Sequence, residues 1–581
     1  MKRCLIWLLS VVLIISMQGC SSKSREEEQA LFDAFVKEQF IENITGDYIS
    51  YKTLIQDPKK FEIDPSTIEV SLGSRMDEAS LKEEVTSLQE VYKEWKKFDR
   101  SLLTPGQQDM YDAMDFERKV NEATEDDLYL YYGQVFTSGS GLHFQLASLF
   151  SDWSIESEQD VKDLIVLLKD VKPYVESALA YTKKQEKLGT LMIDVKSVKE
   201  YCQKILDSGM ESSILASMRS ACHEAGFTAY DIALEEAFSS SFLAAYQEIY
   251  DTMSTIKNNH TEGYASLKKG KQYFDSLLRY QTGMDMNPIE IKKMMEENYE
   301  EHVNAMQVIR MQDPTVLDRY NEASLSTSFT SYEEIIEFAK EQSKSEFPEL
   351  SDIEYVIVDM NEEIASNGGI AAYYNVSPID GTSKNQLRVN PGMNEDISSI
   401  STYQTVCHES IPGHMYQFNY MYGLDLDNYV KGCVSYLGYS EGYATYVEFE
   451  ALDYLNLDAN VLGIYKENAL AFNCLMACAD IGIHYEGYSV ADLRDYFFQH
   501  GLEFSEPDVK PIYEQLRANP ASFESYYVGY EAIMDLKQKM MEEMDPYFKD
   551  LDFNKALLES GPLPFSIVAS HIKRACKEMA V

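Results

Sequence analysis

The sequence is short of positive charge. Its 51 Lys and Arg stand against 96 Asp and Glu, a formal net charge of −45. So acidic a surface repels phosphate backbones and anionic headgroups, which argues against nucleic acid as a partner. The apolar run near the N-terminus, Leu5 to Met17, is too short to span a bilayer comfortably. No fixed-length repeat is present, and no low-complexity segment beyond the short polar stretch after Cys20. Paired cysteines are also missing. Apart from Cys4 and Cys20, the seven cysteines are scattered and odd in number, which suits buried thiols better than a disulfide framework. Cys474 and Cys478 lie four apart on one helix face, but with no second C-x-x-C-like pair they read as core residues.

What is present begins with an address. Lys2 and Arg3 precede the apolar run, which ends in Gln18-Gly19-Cys20 and a polar Ser-Ser-Lys-Ser-Arg-Glu-Glu-Glu. The arrangement resembles a bacterial lipoprotein signal, in which Cys20 would become the lipid-bearing first residue. That implies an extracytoplasmic protein attached to a membrane through Cys20.

At 581 residues with 45% apolar composition, the chain is long enough for more than one core. From about Glu26 to Phe347 helical periods follow one another. Asn287-Pro288 before "IEIKKMMEENYEEHVNAM" supplies an N-cap and a first-turn proline, and "LMIDVKSVKEYCQKIL" repeats the period. The pattern changes at Ile353. "IEYVIVD", "IAAYYNV" and "QLRVN" read as a sheet of three short strands, and helices resume near Ser398. A mainly α protein with one small sheet results, a layout in which an edge strand can pair with an extended peptide.

The helix after that sheet carries "CHESIPGHMYQ". His408 and His414 are six apart, about 240° round a regular helix, and would not share a face. Pro412, however, cannot donate to the His408 carbonyl and clashes with it, while Gly413 tolerates unusual dihedrals. A bulge or kink is expected there, bringing both histidines to one point. A catalytic zinc site needs three protein ligands. In "YSEGYATYVEFE", Glu441 and Glu448 are seven apart and share a face of the next helix. One zinc ion held by His408, His414 and Glu441 would acidify its water, and Glu409, beside a ligand but not itself one, would be the general base. Glu450 reads as solvated surface. An oxyanion donor is expected from His484, Tyr526 or Tyr527. "CHEAGF" at Cys222 repeats Cys-His-Glu without a second histidine, so His223 reads as structural or exposed.

These residues resemble the bacterial family known as domain of unknown function 885, a zincin-like group related to gluzincin peptidases. H-E-x-x-P-G-H stands at His408 to His414 with Gln417 close behind, E-G-Y-A-x-Y-x-E at Glu441 to Glu448, D-x-G-x-H at Asp480 to His484, and G-x-L-P at Gly561 to Pro564. The resemblance implies a zincin-like fold, His408, His414 and Glu441 as ligands of one zinc, and Glu409, His484 and Tyr526 as catalytic residues. It also implies Glu448 and Asp480 as supporting residues and a peptide as substrate. The family's P-G-Q-A-x-x-Y is here Pro520 to Tyr526, with Ala521 in place of glycine; the retained tyrosine favours Tyr526 over Tyr527. The expected organisation is a signal peptide at 1–20, a flexible tether at 21–30, a helical region at 31–350 and a zincin-like catalytic region at 351–581. Two other readings compete. One is a lipoprotein that binds metal or peptide without catalysis. The other is a serine hydrolase using Ser440, since "GYSEG" matches G-x-S-x-G, with "CVSYL" as its strand.

Overall fold

The structure, a computed structural model, describes residues 24–579 apart from 323–324, 367–369, 382–383 and 394–395. The leader and Cys20 lie outside the described residues. Helix α1 (Arg25–Gly46) is capped by the Ser24 side chain, with Glu26, Glu27 and Glu28 in its first turn. The stretch 21–30, expected as a tether, is therefore helical from Arg25. Phe32, Val36, Phe40 and Ile44 explain why, since they recur at helical spacing and bury one face.

Helix α2 (Leu142–Ser151) leads into Asp152. The period read through "LMIDVKSVKEYCQKIL" is helical only from Val195, where Asp194 caps α3 (Val195–Ser208). Helix α4 (Pro288–Gln312) opens as expected, with Asn287 and Glu290 forming a capping box around a first-turn proline. Strands β1 (Tyr355–Asp359), β2 (Ala372–Asn375) and β3 (Asn385–Val389) form one sheet in the order β1-β3-β2. β1 runs parallel and β2 antiparallel to β3, so β2 is an edge strand. Asn385, Leu387 and Val389 alternate inward along β3.

The sheet leans on α5 (Ile400–Glu409), which α6 (His414–Gly423) follows directly. Helices α7 (Leu437–Ala451), α8 (Ala459–Ile481) and α9 (Glu524–Met544) enclose the same region. Ser440 lies inside α7, with its hydroxyl directed at the Leu437 carbonyl, and "CVSYL" is not a strand. A nucleophile elbow needs a strand-to-helix turn, so the geometry of a serine hydrolase is not formed.

The main cores do not divide at residue 350. One joins Phe32–Met253 to Met360, Ile364, Tyr429 and Val430. A second is drawn from Ala113 and the span from Ile335 to Cys576. A third packs Tyr129, Tyr264 and Ile291 against α8 and Val528. No described helix is long and apolar enough to cross a membrane.

Candidate metal centre

The stretch between the two histidines breaks the helix rather than bending it. Helix α5 stops at Glu409, Ser410 adopts φ −112°, ψ −109°, and α6 starts at His414. Gly413 is required by close approach: a Cβ there would lie 1.8 Å from the His408 carbonyl oxygen and 2.3 Å from that of Cys407. Its N–H donates to the Cys407 carbonyl at 3.0 Å, and the Tyr443 hydroxyl pins the Pro412 carbonyl at 2.8 Å. The turn brings the two imidazoles to 4.9 Å between centroids, at 89° to one another.

Helix α7 presents Glu441 to both rings. Its Oε2 is 3.3 Å from His414 Nε2 and 3.5 Å from His408 Nε2. One donor atom from each of the three residues lies within 4.8 Å of the others. The far sides of the rings are held as well. His408 Nδ1 meets Glu448 Oε2 at 2.8 Å, and His414 Nδ1 meets Gln417 Oε1 at 3.3 Å. A carboxylate and an amide oxygen only accept, so each Nδ1 donates outward and each Nε2 is turned toward Glu441, where a bound ion would replace its proton. That donor set fits a zinc-class ion with three protein ligands.

Charge balance supports the same fit. Burial opposes protonation of His408, but Glu441, Glu448 and Glu409 outweigh it and hold the imidazole well above its ordinary range. His414 is raised likewise, burial being outweighed chiefly by Glu441. Burial also acts to raise Glu441, yet the two imidazoles hold its carboxyl below the usual range. The pocket thus concentrates carboxylate charge around two imidazoles, the electrostatics that a divalent cation would satisfy.

Glu409 stands beside this cluster, its Oε1 4.0 Å from His408 Nε2. Burial raises its carboxyl despite the neighbouring histidines. Its other oxygen accepts the Tyr374 backbone N–H at 2.8 Å, so the edge strand β2 orients it. Sequence reading did not find this contact, because nothing local links residues 374 and 409.

Tyr526, near the start of α9, stacks on the His408 ring at 6.1 Å and 19°. The charge of Glu441, with burial and Glu409, keeps its phenol neutral far above neutral pH, leaving the hydroxyl as a donor. Tyr527 instead stacks on Phe523. Tyr526 reaches the cluster because α7 and α9 cross at glycines: a Cβ on Gly442 would lie 2.5 Å from the Gly529 carbonyl carbon.

His484 is not brought to the cluster. It is fully buried, its Nδ1 accepting the Tyr264 backbone N–H at 3.2 Å and its Nε2 donating to the Leu516 carbonyl at 3.2 Å. With both nitrogens committed to backbone, it has no proton to offer a substrate. Asp480 acts at a distance too. Its carboxylate accepts the Ala521 N–H at 3.0 Å, fixing the turn that delivers Tyr526, and faces the buried carboxyl of Glu524. Burial and the Asp480 charge keep Glu524 protonated well above the carboxylate range. Glu450, expected as solvated surface, pairs at 3.0 Å with the mostly buried Lys537. His223 is partly exposed and pairs with Asp231 at 2.8 Å.

Comparison with known proteins agrees with this architecture. Over residues 70–572 the sequence matches a family described as "Bacterial protein of unknown function (DUF885)". No curated protein matches it. Among solved structures, one described as "the putative lipoprotein from Colwellia psychrerythraea" superposes with a TM-score of 0.79 at 13% identity, covering 95% of this chain and 99% of the other. Another, "a putative lipoprotein of unknown function from Shewanella oneidensis", gives a TM-score of 0.59 at 14% identity, covering 94% and 99%. At such identities the likeness is one of fold.

Proposed function

The chain belongs to the DUF885 family of bacterial proteins, and we propose that it is a zinc-dependent peptidase of zincin-like, gluzincin-related architecture, lipid-anchored outside the cytoplasm. One observation carries the reading: His408, His414 and Glu441 converge on a point beside a buried carboxylate, Glu409, that the edge strand β2 itself orients. A purely binding site has no need of that fourth group.

His408, His414 and Glu441 would hold the ion, which when bound lowers the pKa of its water from 15.7 toward about 7 and polarises a carbonyl. Glu448 and Gln417 lock the two imidazoles in the tautomer that leaves Nε2 free. Glu409 takes the proton of the attacking water at a carboxylate oxygen and carries it to the leaving amine nitrogen. Tyr526 donates its hydroxyl hydrogen to the scissile carbonyl oxygen as negative charge grows there. An extended peptide laid along the open edge of β2 would have its carbonyl directed at this group of residues. Likeness to two structures described as putative lipoproteins, together with the leader and Cys20, supports the anchor.

The test is hydrolysis of a mixed peptide library by protein stripped with a chelator and then reloaded with zinc. Cleavage is expected to vanish and return. Glu409→Gln is expected to keep the ion and lose activity by at least 100-fold, on the order of a general base's contribution. A Glu409→Gln protein cleaving at the parent's rate would overturn the mechanism, and zinc binding without any cleavage would favour the binding lipoprotein.

A further inference from the structure

A second group of metal-binding side chains lies away from the first. His302 on α4, Cys474 on α8 and Glu531 on α9 place one donor atom each within 4.8 Å of one another. His302 Nε2 is 3.0 Å from Glu531 Oε1, and Cys474 Sγ is 3.4 Å from the same oxygen. Ligand atoms at the corners of a tetrahedron around zinc, with bonds of about 2.0–2.3 Å, lie roughly 3.3–3.8 Å apart. The sulfur separation falls in that range and the nitrogen one slightly below it, while Glu441 and its two histidines, at 3.3 and 3.5 Å, lie within it.

The far side of the ring repeats the pattern of the first site. His302 Nδ1 meets Glu467 Oε2 at 2.7 Å, as His408 Nδ1 meets Glu448. Carboxylates on both ring nitrogens hold His302 as an imidazolium in the metal-free chain, its Nδ1 fixed by Glu467 and its Nε2 turned toward the ligand group, where an ion would replace the Nε2 proton. Glu467 and Cys474 are seven apart on α8, so two turns of one helix supply both the orienting carboxylate and the thiol. Burial separates the partners usefully. Cys474 is fully buried and Glu531 is 6% exposed, whereas His302 and Glu467 keep 14% and 26% of their side-chain surface, leaving an entry path. By contrast Cys478, four residues on, has its sulfur 3.6 Å from the Lys292 carbonyl and is the core thiol expected of both.

We propose that His302, Cys474 and Glu531 form a second metal site, taking a zinc-class divalent ion and tying α4, α8 and α9 together. A thiolate, an imidazole and a carboxylate suit a borderline-soft ion and exclude the all-oxygen preference of calcium and magnesium. On binding, the ion displaces two protons to solvent, that of the Cys474 thiol and that on His302 Nε2, and the thiolate and the imidazole lone pair become its ligands. The proposal does not rest on the peptidase reading. Its structural consequence falls on α9, which carries both Glu531 and Tyr526.

The probe is cobalt(II) added to the chelator-stripped full chain, followed by elemental analysis and near-ultraviolet absorption. The first site contains no thiol, so a thiolate-to-cobalt charge-transfer band reports the second alone. One thiolate-bound cobalt per chain is expected, bleached by zinc, retained in full by His408→Ala/His414→Ala, and lost in His302→Gln and in Cys474→Ser. His302→Gln keeps the thiol in place and stands as the second variant should Cys474→Ser fail to fold. No band at saturating cobalt, or a band unchanged in His302→Gln, would overturn the proposal. Loss of the other ion with the band intact would count against the peptidase centre instead.

Discussion

Ala521 holds a backbone conformation that suits glycine, with φ at +57°. It is the position at which the resembled family carries glycine, and its N–H is bound by the buried Asp480 carboxylate. Left-handed geometry costs an L residue about 1–2 kcal/mol, while the freer unfolded chain of a glycine costs about 0.4–1. Strain relief is the larger effect, so Ala521→Gly is expected to stabilise by about 0.5–1 kcal/mol, read from a urea midpoint at unchanged slope. A second single residue controls acid stability. Burial alone lowers His143 to about 3, and among the described residues neither ring nitrogen has a hydrogen-bond partner. The unfolded chain binds this proton near pH 6.5 and the folded chain only near 3, so stability is fully present above about 6.5 and drains as pH falls toward 3. His143→Leu is expected to flatten the stability profile across that window, with at most roughly 5 kcal/mol at stake. At pH 8 it should cost little, because no hydrogen bond is lost. A profile as steep as the parent's would show that the proton is taken up elsewhere.

At the scale of elements, the break between α5 and α6 and the crossing of α7 over α9 together assemble the centre. Pro412 and Gly413 announced an irregularity that could join two histidines whose spacing alone kept them apart, while Glu441 and Glu448 could be read from spacing along their own helix. Gln417 was readable too, three residues after His414 and so on its face. Sequence could not say that the helix would stop altogether, since that depends on Gly413 seating against two carbonyls. Nor could it separate His484 from the site: a histidine's letters do not state that both its nitrogens meet backbone from Tyr264 and Leu516. The Tyr374–Glu409 contact and the His302–Cys474–Glu531 group arise only when distant elements pack. The break itself is testable. Gly413→Ala would thrust a methyl into the His408 and Cys407 carbonyls, neither of which can move without α5, so about 3 kcal/mol or more of destabilisation is expected, with loss of the zinc binding proposed for the first site. Gly423→Ala, where a Cβ meets nothing within 4 Å, is the matched control and should retain both stability and metal.

Across the whole molecule, the helical N-terminal stretch and the sheet are joined by charge as well as by apolar packing. Asp152, just beyond α2, sits 2.8 Å from the Arg388 guanidinium on β3 and accepts the Tyr373 hydroxyl on β2 at 2.7 Å. All three are mostly buried, with side-chain exposures of 13% for Asp152 and 12% for Arg388. This link explains why a boundary placed near residue 350 from the change of sequence pattern does not separate two units: the sheet completes a surface offered by residues far upstream. It also bears on the site, since Tyr373 precedes the residue whose N–H orients Glu409. Removing one partner of such a pair leaves a buried charge uncompensated, which costs about 3–5 kcal/mol, whereas replacing both by apolar groups of similar size is often neutral. Asp152→Ala is therefore expected to lower stability by that amount and to reduce the proposed peptide hydrolysis along with it. Asp152→Leu/Arg388→Met should recover most of the loss. The double-mutant cycle decides between two origins of the effect. A large coupling energy places it in the ion pair, whereas additive losses would mean that the two side chains matter only for the space each fills.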